Sequence, residues 1–226
     1  MTGLLRLISI FSHRFQTIGA VGLGFLALTA NGWGGEINWA EHKVELSGFS
    51  EEQRQVLEKT FDQFKAIRPG DLKIDRGLYL HLGRFEELFG QPFNGEALLH
   101  WVVSRFRTIT YGNNREAAIN QNKGELWVGD LFFEGITPLE RLYLLVHEAR
   151  HSDGDGYPHV RCPKGFRFVS AGQPLVKLEK ELACDKTDKG AYAYQAAFLF
   201  ELFAYGIFDQ KEVGLLYNST VARVLP

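Results

Sequence analysis

Cysteine is nearly absent, since Cys162 and Cys184 are the only two in 226 residues. A surplus of charge is missing too. The chain has 25 Lys and Arg against 27 Asp and Glu, a net charge of -2, so nothing in the balance favours nucleic acid or an anionic membrane as a partner. There is no internal repeat, no low-complexity tract, no linker between domains and no wall-binding repeat. The apolar run from Ile18 to Ala30 is loosened by glycines and falls short of the roughly 20 residues that a membrane-spanning helix needs. No cysteine stands after it to carry a lipid.

What is present at the N-terminus has the form of a signal peptide. Arg6, His13 and Arg14 lead into the apolar run, and small residues follow it. Residues 1–30 are therefore read as an export signal with its end between 30 and 35, an uncleaved N-terminal anchor being the alternative. Residues 36–226 remain as one domain, of a size that buries a substantial core. The 18 Phe, 8 Tyr and 4 Trp are spread along it as core material. In an exported chain the two cysteines are expected to pair, rather than to stay as buried thiols or metal thiolates. Such a bridge closes a loop of about twenty residues and contributes roughly 3 kcal/mol.

Local signals predict the elements. Ser50-Glu-Glu-Gln53 has the form of a capping box, and Val56, Leu57, Phe61, Phe64 and Ile67 follow at helical spacing until Pro69-Gly70. Leu78 to Leu82 alternates and reads as a strand. Gly95 to Ser104 reads as a helix, Arg107 to Tyr111 and Glu125 to Val128 as strands, and the Asn/Gln/Gly-rich stretch from Gly112 to Gly124 as a loop. Thr137-Pro-Leu-Glu140 combines a capping Thr, a Pro at the first helical position and a Glu at the third. The helix it opens must end in Ser152-Asp-Gly-Asp-Gly-Tyr-Pro158. Leu175 to Ala183 and Ala191 to Tyr205 read as two further helices with Gly190 between them.

The helix that starts at Thr137 ends in His147-Glu-Ala-Arg-His151. Residues four apart share a helical face, so both imidazoles can reach one ion while Glu148 projects beside them. The turns before them, Leu144-Leu-Val146, are strongly apolar, so the polar turn is buried and must be satisfied by something. An ion would satisfy it.

Cys162-Pro-Lys-Gly165, Ala183-Cys-Asp185 and Gly190-Ala-Tyr192 look like the C-terminal half of small exported bacterial proteins of unassigned function that carry the same helix motif, and the motif itself resembles the zincin metallopeptidases. The resemblance covers the helix and the strands before it. It implies an α+β fold: a compact zincin-like domain with a small mixed sheet, an active-site helix and a helical C-terminal half. It also implies a Zn2+ cofactor held by His147 and His151, with Glu148 as the general base. For the third ligand the metzincin spacing fits at Gly154, but its next matching position is Tyr157, and His159 lies two residues late. Glu181-Leu-Ala-Cys-Asp185 has the gluzincin form of a ligand Glu and a supporting Asp, and Asp153, Asp155 and Asp188 are also near in sequence. His159 is the favoured third ligand, with Asp185 and Glu181 as the residues that support it or replace it. Tyr192 or Tyr194 is a candidate hydrogen-bond donor to the oxyanion.

The signal segment and the resemblance together imply an exported, periplasmic or extracellular zinc metalloendopeptidase acting on a peptide or protein, with no stable membrane insertion after signal cleavage. An extended substrate is expected to pair with the edge strand beside the metal helix, for which Glu125 to Val128 is the candidate. The alternatives are a zinc hydrolase of a cell-wall amide and a non-enzymatic protein stapled by zinc or by the disulfide.

Overall fold

The computed structural model describes residues 37–112, 117–164 and 177–225, so the expected signal segment lies outside the described residues. The architecture is α+β. A short helix α1 (Trp39–His42) leads into strand β1 (Glu45–Ser47), and then come the helices α2 (Glu51–Ala66), α3 (Arg76–Leu82), α4 (Phe85–Phe89) and α5 (Gly95–Val103). The strands β2 (Thr108–Tyr111), β3 (Ala118–Asn122) and β4 (Glu125–Val128) precede α6 (Asp130–Glu134) and α7 (Pro138–Arg150). A small ribbon of β5 (Val160–Arg161) and β6 (Leu182–Cys184) is followed by α8 (Ala191–Ala204) and α9 (Gln210–Val221).

Both predicted capping boxes form. Ser50 accepts from the Gln53 amide while the Gln53 side chain accepts from Ser50 N, and Thr137 and Glu140 do the same at the start of α7. Each box satisfies amides that a helix start leaves without partners. From there α2 buries Leu57, Phe61 and Phe64, and α7 buries Leu139, Leu142, Leu145, Val146 and Ala149. Each such Leu or Phe is worth about 1.5–3 kcal/mol of transfer free energy. These residues belong to one apolar cluster that runs from Ile37 to Leu216.

The main sheet has the order β1-β2-β4-β3, with β1, β2 and β4 parallel and β3 antiparallel to β4. Ile109 lies opposite Leu126, and both are fully buried. Helix α7 packs on α2, α5, α8 and β3, and α8 packs on α9. The metal-motif helix is thus held on several sides before its last turn is reached.

Four expectations fail. Leu78 to Leu82 is helix α3, not a strand: the Asp75 side chain caps it at Leu78 N, 3.0 Å, and Leu78, Leu80 and Leu82 are all exposed, so their alternation is not a burial pattern. The stretch read as a loop from Gly112 to Gly124 contains β3, a polar strand stabilised by pairing with β4. The part of Leu175 to Ala183 that lies within the described residues is not helical. Glu179 bridges to Cys162, Lys180 takes a left-handed φ of 66°, and Leu182 enters β6. Finally Glu125 to Val128 is not an edge strand, because β4 lies between β2 and β3; the edge beside α7 is β3.

Candidate metal centre

The last turn of α7 brings His147 and Glu148 into the interior, each less than a tenth exposed, and His151 caps the helix in a helical conformation. Past it the chain reverses. Gly154 and Gly156 have φ values of 49° and 83°, a region glycine enters without steric penalty, and Tyr157 follows at 43°. The Arg150 guanidinium holds Tyr157 there, 3.6 Å from the ring centroid. This reversal returns the chain so that His159 faces the helix it has just left.

The three histidines meet at their Nε2 atoms. His147 and His159 are 3.1 Å apart, and His151 is 3.2 Å from each. Every Nδ1 faces outward to an acceptor. His151 Nδ1 donates to the Gly156 carbonyl at 2.7 Å, His159 Nδ1 to Asp185 Oδ1 at 3.1 Å and His147 Nδ1 to Gln195 Oε1 at 2.9 Å. A carbonyl and a carboxylate only accept, so these partners place the protons on Nδ1 and leave Nε2 bare.

Burial keeps the His147 and His151 rings neutral. His147 is held well below the usual imidazole range by burial and then by His151 and His159, and His151 is pushed down to about 4 by burial and then by His159. The three Nε2 atoms thus converge while every Nδ1 is turned to an acceptor, an arrangement that is favourable around a cation. Three nitrogens held at about 2.0–2.1 Å in a tetrahedral zinc site stand about 3.3–3.4 Å apart, close to the observed triangle. The three residues form a group that can hold a metal ion.

The surroundings hold these groups in place. Asp185 is buried, and its Oδ2 accepts from Tyr192 N at 2.7 Å and Ala193 N at 3.1 Å, so one carboxylate both caps α8 and orients His159. Gln195 donates through Nε2 to Thr220 Oγ1 at 3.3 Å, which links α9 to the orientation of His147. The disulfide forms between Cys162 and Cys184, three residues after His159 and one before Asp185. Arg150 donates to the Lys189 carbonyl from Nε and Nη2, which ties α7 to the loop before α8.

Glu148 faces the edge strand. Its Oε2 accepts from Asn120 N at 2.8 Å, while Asn120 Nδ2 donates to Glu148 O at 2.8 Å and to Ser152 Oγ at 2.7 Å. One asparagine thus straps β3 to the last turn of α7, where helix carbonyls lack partners.

Of the predicted site residues, His147, His151 and His159 come together with Glu148 on the same turn, and Asp185 stands behind His159 in the supporting role. Glu181 is not part of the histidine group; its backbone carbonyl accepts from Cys162 N in the ribbon. Asp153 is held by Arg105 and Arg150, Asp188 by Arg84, and Asp155 is exposed. Tyr192 packs its ring 4.5 Å from His147 and 4.7 Å from His159. Tyr194 instead donates to the Leu88 carbonyl at 2.5 Å and stacks on Trp101, so it is core and not an oxyanion donor.

Asn120, Gln195 and Arg150 are parts of the site that the sequence reading does not single out, whereas a loop through Gly156 and Pro158 that returns His159 is within its reach. Only Gln195 carries a signal in the sequence, as a single amide within the apolar run from Ala191 to Phe200. Compared with protein-family models, with curated proteins and with solved structures, the chain matches none.

Proposed function

We propose that the chain is a zinc-dependent hydrolase of the zincin type, acting on peptide bonds outside the cytoplasm. One observation carries the reading: three histidine nitrogens converge with their protons fixed on the far side of each ring, beside a buried glutamate. His147, His151 and His159 would hold the ion. Zinc with an open position is a Lewis acid and lowers the pKa of bound water to about 7.

The remaining work belongs to the protein. Glu148 is the base that accepts the proton of the attacking water and delivers it to the leaving amine, and the Asn120 amide fixes the attitude of its carboxylate. Tyr192 accepts from Arg223 Nη1 at 3.0 Å, which orients its own O–H to donate elsewhere, and an oxyanion formed beside His147 and His159 is the proposed acceptor. Strand β3, the edge beside α7, takes over the role first expected of β4 and would pair with an extended substrate. The disulfide suits an oxidising compartment, and among the described residues no helix is long and apolar enough to cross a membrane.

Glu148→Gln is the direct test. Metal-loaded wild type should cleave members of a quenched fluorescent peptide library, and the variant should lose about 10²–10⁴-fold in rate while keeping its metal and its melting temperature. A variant as active as wild type would remove Glu148 from the chemistry. A metal-loaded wild type inert towards all peptides would favour a zinc-stapled protein or a different amide substrate.

A further inference from the structure

Arg223 stands beyond the end of α9, where the chain pairs with Asp185. Asp185 N donates to the Arg223 carbonyl at 2.8 Å, and Leu225 N donates to the Asp185 carbonyl at 3.0 Å. These two bonds fix the Arg223 backbone against the residue that orients His159. The side chain then turns over Tyr192, with the guanidinium carbon 4.8 Å from the ring centroid and Nη1 donating to the phenol oxygen at 3.0 Å. The same ring packs on His147 and His159, so Arg223 and these two histidines share Tyr192 as a neighbour.

Two observations set this arginine apart. Of the arginines that are not exposed, Arg84, Arg105 and Arg150 each hold an aspartate or glutamate and Arg141 holds the Phe132 and Phe133 carbonyls, whereas the Arg223 guanidinium bonds only to the Tyr192 oxygen among the described residues. Its Nε is buried and makes no hydrogen bond. A buried donor on a charged group is costly to leave unmade. A fixed cation close to a divalent ion is also unfavourable unless an anion comes between them. A carboxylate bound at Nη2, the guanidinium nitrogen that is neither enclosed nor bonded among the described residues, relieves the second cost and matches the group in charge.

Building on the hydrolase reading above, we propose that Arg223 is a specificity-determining residue that takes a substrate carboxylate close to the bond under attack. The carboxylate has two chemical sources, the free C-terminus of a peptide or an acidic side chain just beyond the scissile bond. With the first the enzyme trims chain ends, and with the second it cuts before acidic residues.

Three thiol probes bound to the zinc-loaded full chain test this by calorimetry: N-mercaptoacetyl-alanine, its C-terminal amide, and N-mercaptoacetyl-aspartyl amide. Wild type should bind at least one of the two carboxylate probes about ten-fold or more tightly than the neutral amide. Tight binding of the alanine acid alone identifies the chain terminus as the source, and tight binding of the aspartyl amide identifies the side chain. Arg223→Met keeps an apolar cover on Tyr192 while removing the charge. Within this variant the three probes should bind equally, whatever the change in their common affinity, and this loss of preference separates the arginine from the general attraction of a metal ion for anions. Equal binding of all three probes by zinc-loaded wild type, or a preference that survives in Arg223→Met, overturns the assignment while leaving the metal centre standing. A wild type that takes up no zinc overturns the metal centre, and this role of Arg223 with it.

Discussion

Gly190 is glycine because Asp185 needs its space. A Cβ there would lie 2.2 Å from Asp185 Cγ and 2.3 Å from Oδ2, within the carboxylate whose Oδ1 meets His159 and whose Oδ2 caps the start of α8. Gly190→Ala must therefore push the carboxylate aside. We expect a loss of about 1–3 kcal/mol in urea unfolding and a zinc affinity weakened about 10–100-fold in chelator competition, the usual effect of losing a partner behind a ligand histidine. A variant with both quantities unchanged would show that Asp185 orients nothing.

A second single residue predicts the pH dependence. Glu201 is buried on α8, accepts from the Tyr79 hydroxyl at 3.0 Å, and is raised from 4.5 to about 7, chiefly by burial. The folded chain holds this proton more tightly than the unfolded chain, so stability is fully present below 4.5 and is lost as pH rises towards 7. Glu201→Gln, which keeps a group for Tyr79 to bond, should be more stable than wild type by on the order of 2 kcal/mol at about pH 8 and little different near pH 4. Urea unfolding at both pH values measures this, and a difference independent of pH would contradict it.

Among the elements, the ribbon of β5 and β6 places the third histidine. His159 and Asp185 come from chain segments 26 residues apart, and the disulfide, with a Cα separation of 5.2 Å, holds those segments together. The double variant Cys162→Ala, Cys184→Ala should lose about 3 kcal/mol of stability from the freed loop. It should also lose zinc affinity, while retaining the far-ultraviolet circular dichroism of helices remote from the ribbon. Unchanged zinc affinity would mean that β5 and β6 hold the pair without the bridge.

How far each element could be read in advance follows from what fixes it. α2 and α7 were legible because Ser50 with Gln53 and Thr137 with Glu140 cap them locally and their apolar residues keep helical period. β3 was not, because Asn120, Gln121 and Asn122 have little strand propensity and owe their conformation to β4 and to the bond from Asn120 to Glu148. α3 misled because its exposed leucines alternate by accident while Asp75 caps a helix. At the site, the pair four residues apart on one helix is a local feature. Its completion by His159, Asp185 and Gln195 depends on the reversal at Gly154 to Tyr157 and on the packing of α8, which no local pattern encodes.

For the whole molecule, the apolar cluster from Ile37 to Leu216 holds α7 against α2, α5 and α8, and the polar turn lies at the end of that helix. Stability and site are thus coupled, since a cation among the three histidines would bind the folded chain, where their Nε2 atoms converge, in preference to the unfolded one. The measurement closest to the central claim is zinc uptake after equilibrium dialysis of the wild type and of His159→Ala, read by elemental analysis beside the melting temperature. Wild type should take up one zinc ion per chain and melt at a higher temperature with it, while the variant loses both responses. A wild type that comes out of dialysis without zinc, or a His159→Ala variant that keeps full occupancy, would contradict the account.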